Sequence, residues 1–165
     1  MVFSSSIFLL YFLPLFLLVY HLVGSKYKNY VILISSILFY SWGAPKFLFV
    51  ILGSTIIDFY IVKELHKSSV ISRRKVLLSL SIFINLGLLV YFKYANFFIE
   101  NLNYTLHSIG VNNVEWVKVI LPIGISFYTF QTLSYTIEIY RNNFKPEKSP
   151  LNYFNYVSFF PQLIA

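Results

Sequence analysis

Long apolar runs separated by short polar segments make up most of the chain. A helix needs about 20 apolar residues to cross a bilayer, fewer where the membrane thins or protein surrounds it. Residues 2–23 form the first such run. No basic segment precedes it, so it reads as a retained helix and not as a cleaved signal peptide. The second covers 30–42 and the third 47–62, and Gly43-Ala44-Pro45-Lys46 between them predicts a tight turn. The fourth runs over 76–92 and the fifth over 117–140, and a sixth apolar stretch begins near Tyr153 and reaches Ala165. The pattern predicts an all-α, polytopic integral membrane protein. Residues 1–165 would be one domain with five transmembrane helices and a sixth apolar segment interrupted at Ala165.

Only one connection is long, from Lys93 to Lys118. In it Phe98, Leu102, Leu106 and Ile109 recur at helical spacing, with Glu100, Asn103 and His107 off that stripe. The spacing predicts an amphipathic helix lying on the membrane surface. A linker with scattered apolar residues is the alternative.

The basic residues give the topology. Counting connections in order, the odd ones hold Lys26 and Lys28, then Lys63, Lys67, Arg73, Arg74 and Lys75, then Arg141, Lys145 and Lys148. The even ones hold only Lys46, Lys93 and Lys118. By the positive-inside rule the odd connections are cytoplasmic and the N-terminus lies outside.

Composition agrees with the pattern. Charged residues are 12% and hydrophobic ones 58%, with mean hydropathy +0.70. A soluble domain carries about 25% charged residues, so this chain could not cover a globular surface. The net charge of +7 sits in the short connections, which argues for membrane topology over nucleic acid as the reason for it. There is no cysteine, which excludes disulfides, thiolate catalysis, cysteine-ligated metal and palmitoyl anchors.

Candidate chemistry concentrates in PIGISFYTFQTLSYTIEIYR, residues 122–141. On a helix, Gly124, Tyr128, Gln131, Tyr135 and Glu138 fall within a sector of about 80°, while Phe130, Leu133 and Ile137 fall opposite and face lipid or apolar neighbours. Pro122 suits the first turn of that helix, where its missing N–H costs nothing, and Gly124 would let another backbone approach closely. The polar stripe has two readings. It either joins packed helices by hydrogen bonds or lines a hydrated cavity or substrate tunnel, and Glu138 could simply pair with Arg141. Asp58 is a second carboxylate inside an apolar run, with Ser54 one turn before it on the same face. A charge there must pair, hydrate or take up a proton, so Asp58 is either a packing hydrogen bond or a binding or proton-moving group. His21, His66 and His107 have no carboxylate and hydroxyl beside them in sequence and read as interface residues. The chain has no phosphate-cradling glycine loop and no metal-ligand spacing.

Four stretches resemble, in order, the N-terminal part of the membrane-bound O-acyltransferase family, in its bacterial alginate O-acetylation branch. They are MVFSS followed by FLP at 12–14, YFKYANFF at 91–98, LPIGISFYTFQTLSYTIEIYR at 121–141 and FFPQLIA at 159–165. The resemblance implies transfer of an acyl group, usually acetyl, from a cytoplasmic thioester such as acetyl-CoA to an exported polysaccharide, with no covalently bound cofactor. It implies membrane lipid around the protein and an extracytoplasmic acetyltransferase or polysaccharide-export partner. The location would be the bacterial plasma membrane. Tyr128, Gln131, Tyr135 and Glu138 would lie near a substrate tunnel. The family's catalytic histidine is expected downstream of FFPQLIA, so no residue of this chain is a candidate catalyst, and the chain would be a fragment or a truncated gene product, inactive alone. A non-catalytic membrane scaffold, or less so a small transporter coupled through Asp58 and Glu138, stands as the alternative.

Overall fold

The computed structural model describes residues 5–43, 45–122 and 124–163. Residues 1–4 at the start of the chain, Ala44 of the expected turn, Ile123, and the last two residues of FFPQLIA lie outside them. All regular structure among the described residues is helical. A π-helical turn, Phe8–Phe12, leads into α1 (Leu13–Leu22); then come α2 (Lys28–Gly43), α3 (Pro45–Lys67), α4 (Ile71–Ser108), α5 (Ile125–Tyr140), α6 (Pro150–Ser158) and the short α7 (Phe160–Leu163). Pro45 opens α3 at a position where its missing N–H costs nothing.

Two expectations are corrected. The segment after Lys93 is not a separate surface helix: α4 runs unbroken for 38 residues, about 57 Å at 1.5 Å per residue. Between Gly87 and Gly110 no glycine or proline interrupts the backbone ladder, and a helix once nucleated extends until something stops it. What stops it is Gly110. With φ +76° it takes the left-handed conformation, its N–H reaches His107 O at 3.2 Å, and Val111 N–H reaches Leu106 O at 3.0 Å. This pairing satisfies the last carbonyls of the helix.

The second correction concerns the fifth run. Helix begins at Ile125, not at residue 117, and Pro122 is outside it. Gly124 supplies the entry turn with φ +82°, which a side chain would resist. Residues 111–122 carry no helix. They lie along the C-terminal half of α4, held by two asparagines. Asn103 donates to Val114 O at 3.0 Å and accepts from Val114 N–H at 2.7 Å. Asn96 does the same with Val119, at 2.7 and 2.9 Å, and also accepts from the Trp116 indole at 3.0 Å. A β-branched segment before a proline disfavours helix, and the two amides provide it with partners it would otherwise lack.

The opposite end of the bundle is tied differently. Glu64 near the end of α3 pairs with Arg73 at the start of α4, 3.3 Å apart. Arg74 reaches the end of α5, donating to Tyr140 O at 2.5 Å and Asn142 Oδ1 at 2.9 Å. Asn142 is left-handed (φ 61°), and the turn closes through Asn142 N–H to Ile139 O and Asn143 N–H to Glu138 O, both 3.1 Å. α6 runs parallel to α2: Asn29 bonds Asn152 at 2.8 Å, and two turns on, Phe160 N–H meets Ser36 Oγ at 3.3 Å. A phenylalanine cluster of Phe8, Phe12, Phe16, Phe39 and Phe160 fastens the N-terminal helix to this pair.

Polar groups are buried beside the apolar clusters of this bundle, and many large apolar side chains face outward. Ser36, Ser54, Thr55, Asp58, Ser81, Asn85, Thr129, Thr132 and Thr136 are buried, whereas Leu10, Leu22, Trp42, Phe49 and Phe83 are each at least 69% exposed.

Candidate functional site

Asp58 stands at the centre of that interior and is fully buried. Ser54, Thr55 and Asp58 share one face of α3 because residues three and four apart are neighbours on a helix. The two hydroxyls bond back to their own helix, Ser54 to Val50 O at 2.7 Å and Thr55 to Ile51 O at 2.6 Å. The carboxylate reaches across instead. Ser81 donates to Asp58 Oδ1 and Asn85 Nδ2 to Oδ2, each at 2.7 Å. Both donors sit one turn apart on α4, and Asn85 is steadied by a second bond to Ser81 O at 2.9 Å. From α5, Thr136 Oγ1 lies 3.4 Å from Ser81 Oγ and donates to Thr132 O at 3.0 Å. The Tyr128 hydroxyl bonds Ser54. Three helices therefore meet on one polar knot. Among the described residues no cation pairs with Asp58, and its two oxygens are answered by neutral donors.

The stripe on α5 does not act as one surface. Tyr128 is buried and joins α3 through Ser54. Gln131 donates to Tyr156 O of α6 at 2.6 Å. Tyr135 is half-buried and its hydroxyl accepts from Glu147 N–H at 2.7 Å. Glu138 pairs with Arg141 at 3.6 Å and accepts from Asn143. Of the five residues picked from the sequence, Asp58 and Tyr128 come together through Ser54, Gln131 and Tyr135 both meet Tyr156 of α6, and Glu138 pairs at the end of α5. Apolar residues surround the upper part of the knot, with Tyr40, Phe47, Ile51, Phe59, Ile125, Tyr153 and Val157 packed around Tyr128.

Chemically the knot holds a carboxylate, an amide and hydroxyls. His21 is remote from it, its ring nitrogen 2.8 Å from Leu17 O. Among the described residues no three His, Asp or Glu gather as metal ligands. One cavity borders the knot at Ser54 and another lies apart from it. The first, of about 470 Å³, runs between α3 and α4 over Gly53 and Gly87. The other, of about 330 Å³, opens between α2 and α6.

Sequence reasoning missed Ser81, Asn85 and Thr136. The signal was present in the fourth run, where Asn85 is the one amide and Ser81 precedes it by a turn. An amide in an apolar helix needs a partner, and Asp58 needed one too.

Curated relatives match the chain from end to end. Two are named probable alginate O-acetylase AlgI, from Pseudomonas aeruginosa and Pseudomonas syringae pv. tomato. They are 40% and 39% identical to this chain over 166 residues, all of this chain and 32% of each relative. The chain is a homologue of the alginate O-acetylases. A Helicobacter pylori protein named peptidoglycan O-acetyltransferase is 29% identical over 194 residues, covering all of this chain and 36% of the relative. The chain thus spans about a third of the length of the curated relatives it matches. No family model matches it, and no solved structure does.

Proposed function

We propose that this chain forms the N-terminal helices of a multi-pass bacterial O-acetyltransferase. In that reading an acetyl group passes from a cytoplasmic thioester, acetyl-CoA being the donor the resemblance implies, to a hydroxyl of an exported polysaccharide such as alginate. The observation that carries the proposal is the whole-length identity to proteins named O-acetylases.

A membrane setting is supported by the many large apolar side chains the bundle exposes. Soluble monomers rarely expose apolar patches beyond a few hundred Å², whereas here Leu10, Leu22, Trp42, Phe49 and Phe83 face outward while a carboxylate, an amide and several hydroxyls are buried beside the apolar core. Among the described residues Ile71–Ser108 is long and apolar enough to cross a membrane. At about 57 Å it exceeds the hydrocarbon core of about 30 Å, so its outer part, with Asn96 and Asn103, projects past the bilayer. Five crossings with an external N-terminus are supported by the ties between helix ends. Glu64 to Arg73, Arg74 to Tyr140 and Asn29 to Asn152 join ends that border the basic connections.

In this proposal Tyr128, Gln131, Tyr135, Glu138 and Asp58 shape the scaffold beside the acyl path, Asp58 by holding three helices together. The general base is a histidine supplied downstream of FFPQLIA, a group whose removal costs about 10² to 10⁴ in rate. An extracytoplasmic acetyltransferase or export protein receives or passes on the acetyl group.

Deletion of the gene tests the reading. Ester-linked acetate on the envelope polysaccharide should disappear and return on complementation with the full gene. Unchanged acetate would overturn it.

A further inference from the structure

The open groove between α2 and α6 is lined by both polar and apolar side chains. Asn29, Asn152, Asn155 and Tyr156 line it together with Ile32 and Phe159. A relay of hydrogen bonds fixes which way each amide points, and it starts at a carboxylate. Glu147 Oε1 accepts from Asn152 Nδ2 at 3.4 Å, which turns Asn152 Oδ1 toward Asn29. Asn29 Nδ2 then donates to that oxygen at 2.8 Å. Asn155 Nδ2 donates to Asn29 O at 2.9 Å, an atom that can only accept. Two carbonyl oxygens remain, Asn29 Oδ1 and Asn155 Oδ1. Neither has a partner among the described residues, and the second is buried. A buried acceptor without a donor costs about 1–3 kcal/mol, so a site built this way calls for a ligand that donates. Among the described residues no lysine or arginine lines the groove itself, so its own polar groups answer a donor, and a phosphate beside that donor would lie outside the groove on the side of Lys26, Lys28, Lys145 and Lys148.

The axis of the cavity adds the second half of the argument. α2 and α6 run parallel, so Asn29 and Asn152 lie at one level, Ile32 and Asn155 about one turn along, and Phe159 a further turn along. Asn29 follows Lys26 and Lys28, and Asn152 follows Lys145 and Lys148. In the proposed topology these lysines mark the cytoplasmic surface. The amides then sit at headgroup depth, and Ile32 and Phe159 face the first part of an acyl chain.

We propose that this cavity binds one phospholipid of the cytoplasmic leaflet through a primary ammonium headgroup, the class represented by phosphatidylethanolamine. The ammonium donates to Asn29 Oδ1 and Asn155 Oδ1, and the chain lies against Ile32 and Phe159. The inference rests on the membrane reading above for its orientation.

Native mass spectrometry of the full chain tests it, with micelles doped in turn with phosphatidylethanolamine, phosphatidylglycerol and phosphatidylcholine. The ethanolamine lipid should be retained about tenfold more than the choline lipid, which has no headgroup donor, a ratio equivalent to about 1.4 kcal/mol. Asn155→Leu should abolish the preference. Ile32→Trp, which fills the cavity and leaves the amide relay alone, should abolish it too, while Asn103→Ala at the far end should not change it. Equal retention of all three lipids, or a preference that survives Ile32→Trp, would overturn the site. Phosphatidylglycerol held as well as phosphatidylethanolamine would overturn the ammonium assignment in favour of hydroxyl donors. Release of the chain from native membranes by alkaline carbonate would instead sink the membrane reading itself.

Discussion

Asp58 and Glu138 both lie within apolar runs, and both invite the same reading from sequence, a carboxylate facing a polar interior. Their surroundings are opposite. Asp58 is fully buried, has no cation among the described residues and is bonded by Ser81 and Asn85 from another helix. Glu138 sits in the last turn of α5, a third exposed, and pairs with Arg141 of the same turn. One carboxylate organises three helices and the other finishes one. Depth makes the difference. Where water is absent a carboxylate must be answered by whatever the neighbouring helices offer, and that requirement fixes how they pack.

Asp58→Ala gives the sharpest break of this contrast. It removes the acceptor that Ser81 and Asn85 share from α3, leaving them only the contacts with Ser81 O and Thr136, and should destabilise the bundle by about 1–3 kcal/mol, read from unfolding in mixed micelles. Asp58→Asn retains one acceptor and should cost less. Equal stability of the wild type and Asp58→Ala would end the claim that the knot holds the helices together.

Arg74→Ala removes two hydrogen bonds from the end of α5 and the stacking of its guanidinium on the Tyr140 ring, 5.4 Å away. A loss of about 1–2 kcal/mol is expected, with hydrogen exchange rising first at residues 138–143. Arg74→Lys should recover only part, since an ammonium on a shorter reach loses the planar stacking on the Tyr140 ring.

Asn96→Ala and Asn103→Ala affect the outer segment alone. Each should free residues 114–119, seen as faster exchange at Val114 or Val119, with a local cost of about 0.5–1.5 kcal/mol. Unfolding of α3–α5 should be unaffected.

Glu138→Gln should have the smallest effect. An exposed pair is worth about 0–1 kcal/mol, and raising salt should erase what difference there is. A larger loss than that of Asp58→Ala would invert the comparison.

The sequence expresses the interior of this bundle only in fragments. Tyr128 and Asp58 stand out as polar groups in apolar runs, and their joining through Ser54 follows the face on which Ser54 and Asp58 were placed. Gln131, Tyr135 and Glu138 share the helical sector of Tyr128, yet their partners come from α6 and the α5–α6 connection, which periodicity along α5 does not include. Thr132 and Thr136 are more deeply buried than Tyr135 although they lie beside the predicted sector, because α3 and α4 approach α5 from that side. The direction of approach is a property of the packed helices.

Helix ends show the same division. Gly110 ends α4, whereas Pro122, expected in the first turn of the fifth helix, lies before its start at Ile125. What lies between them is decided by Asn96 and Asn103, whose side chains supply an extended segment with partners that no local pattern reveals. By itself the sequence determined the helical class, the order of the apolar runs, the grouping of basic residues between them and the kinship with O-acetylases, because these follow from residue type and spacing along one dimension. Only the tertiary structure decided that α4 continues past its apolar run, that α5 starts late, and that Asp58 meets Ser81 and Asn85. Those outcomes depend on which polar groups neighbouring helices bring within hydrogen-bonding distance, and unpaired polar groups are too costly in an apolar setting for any other arrangement to hold.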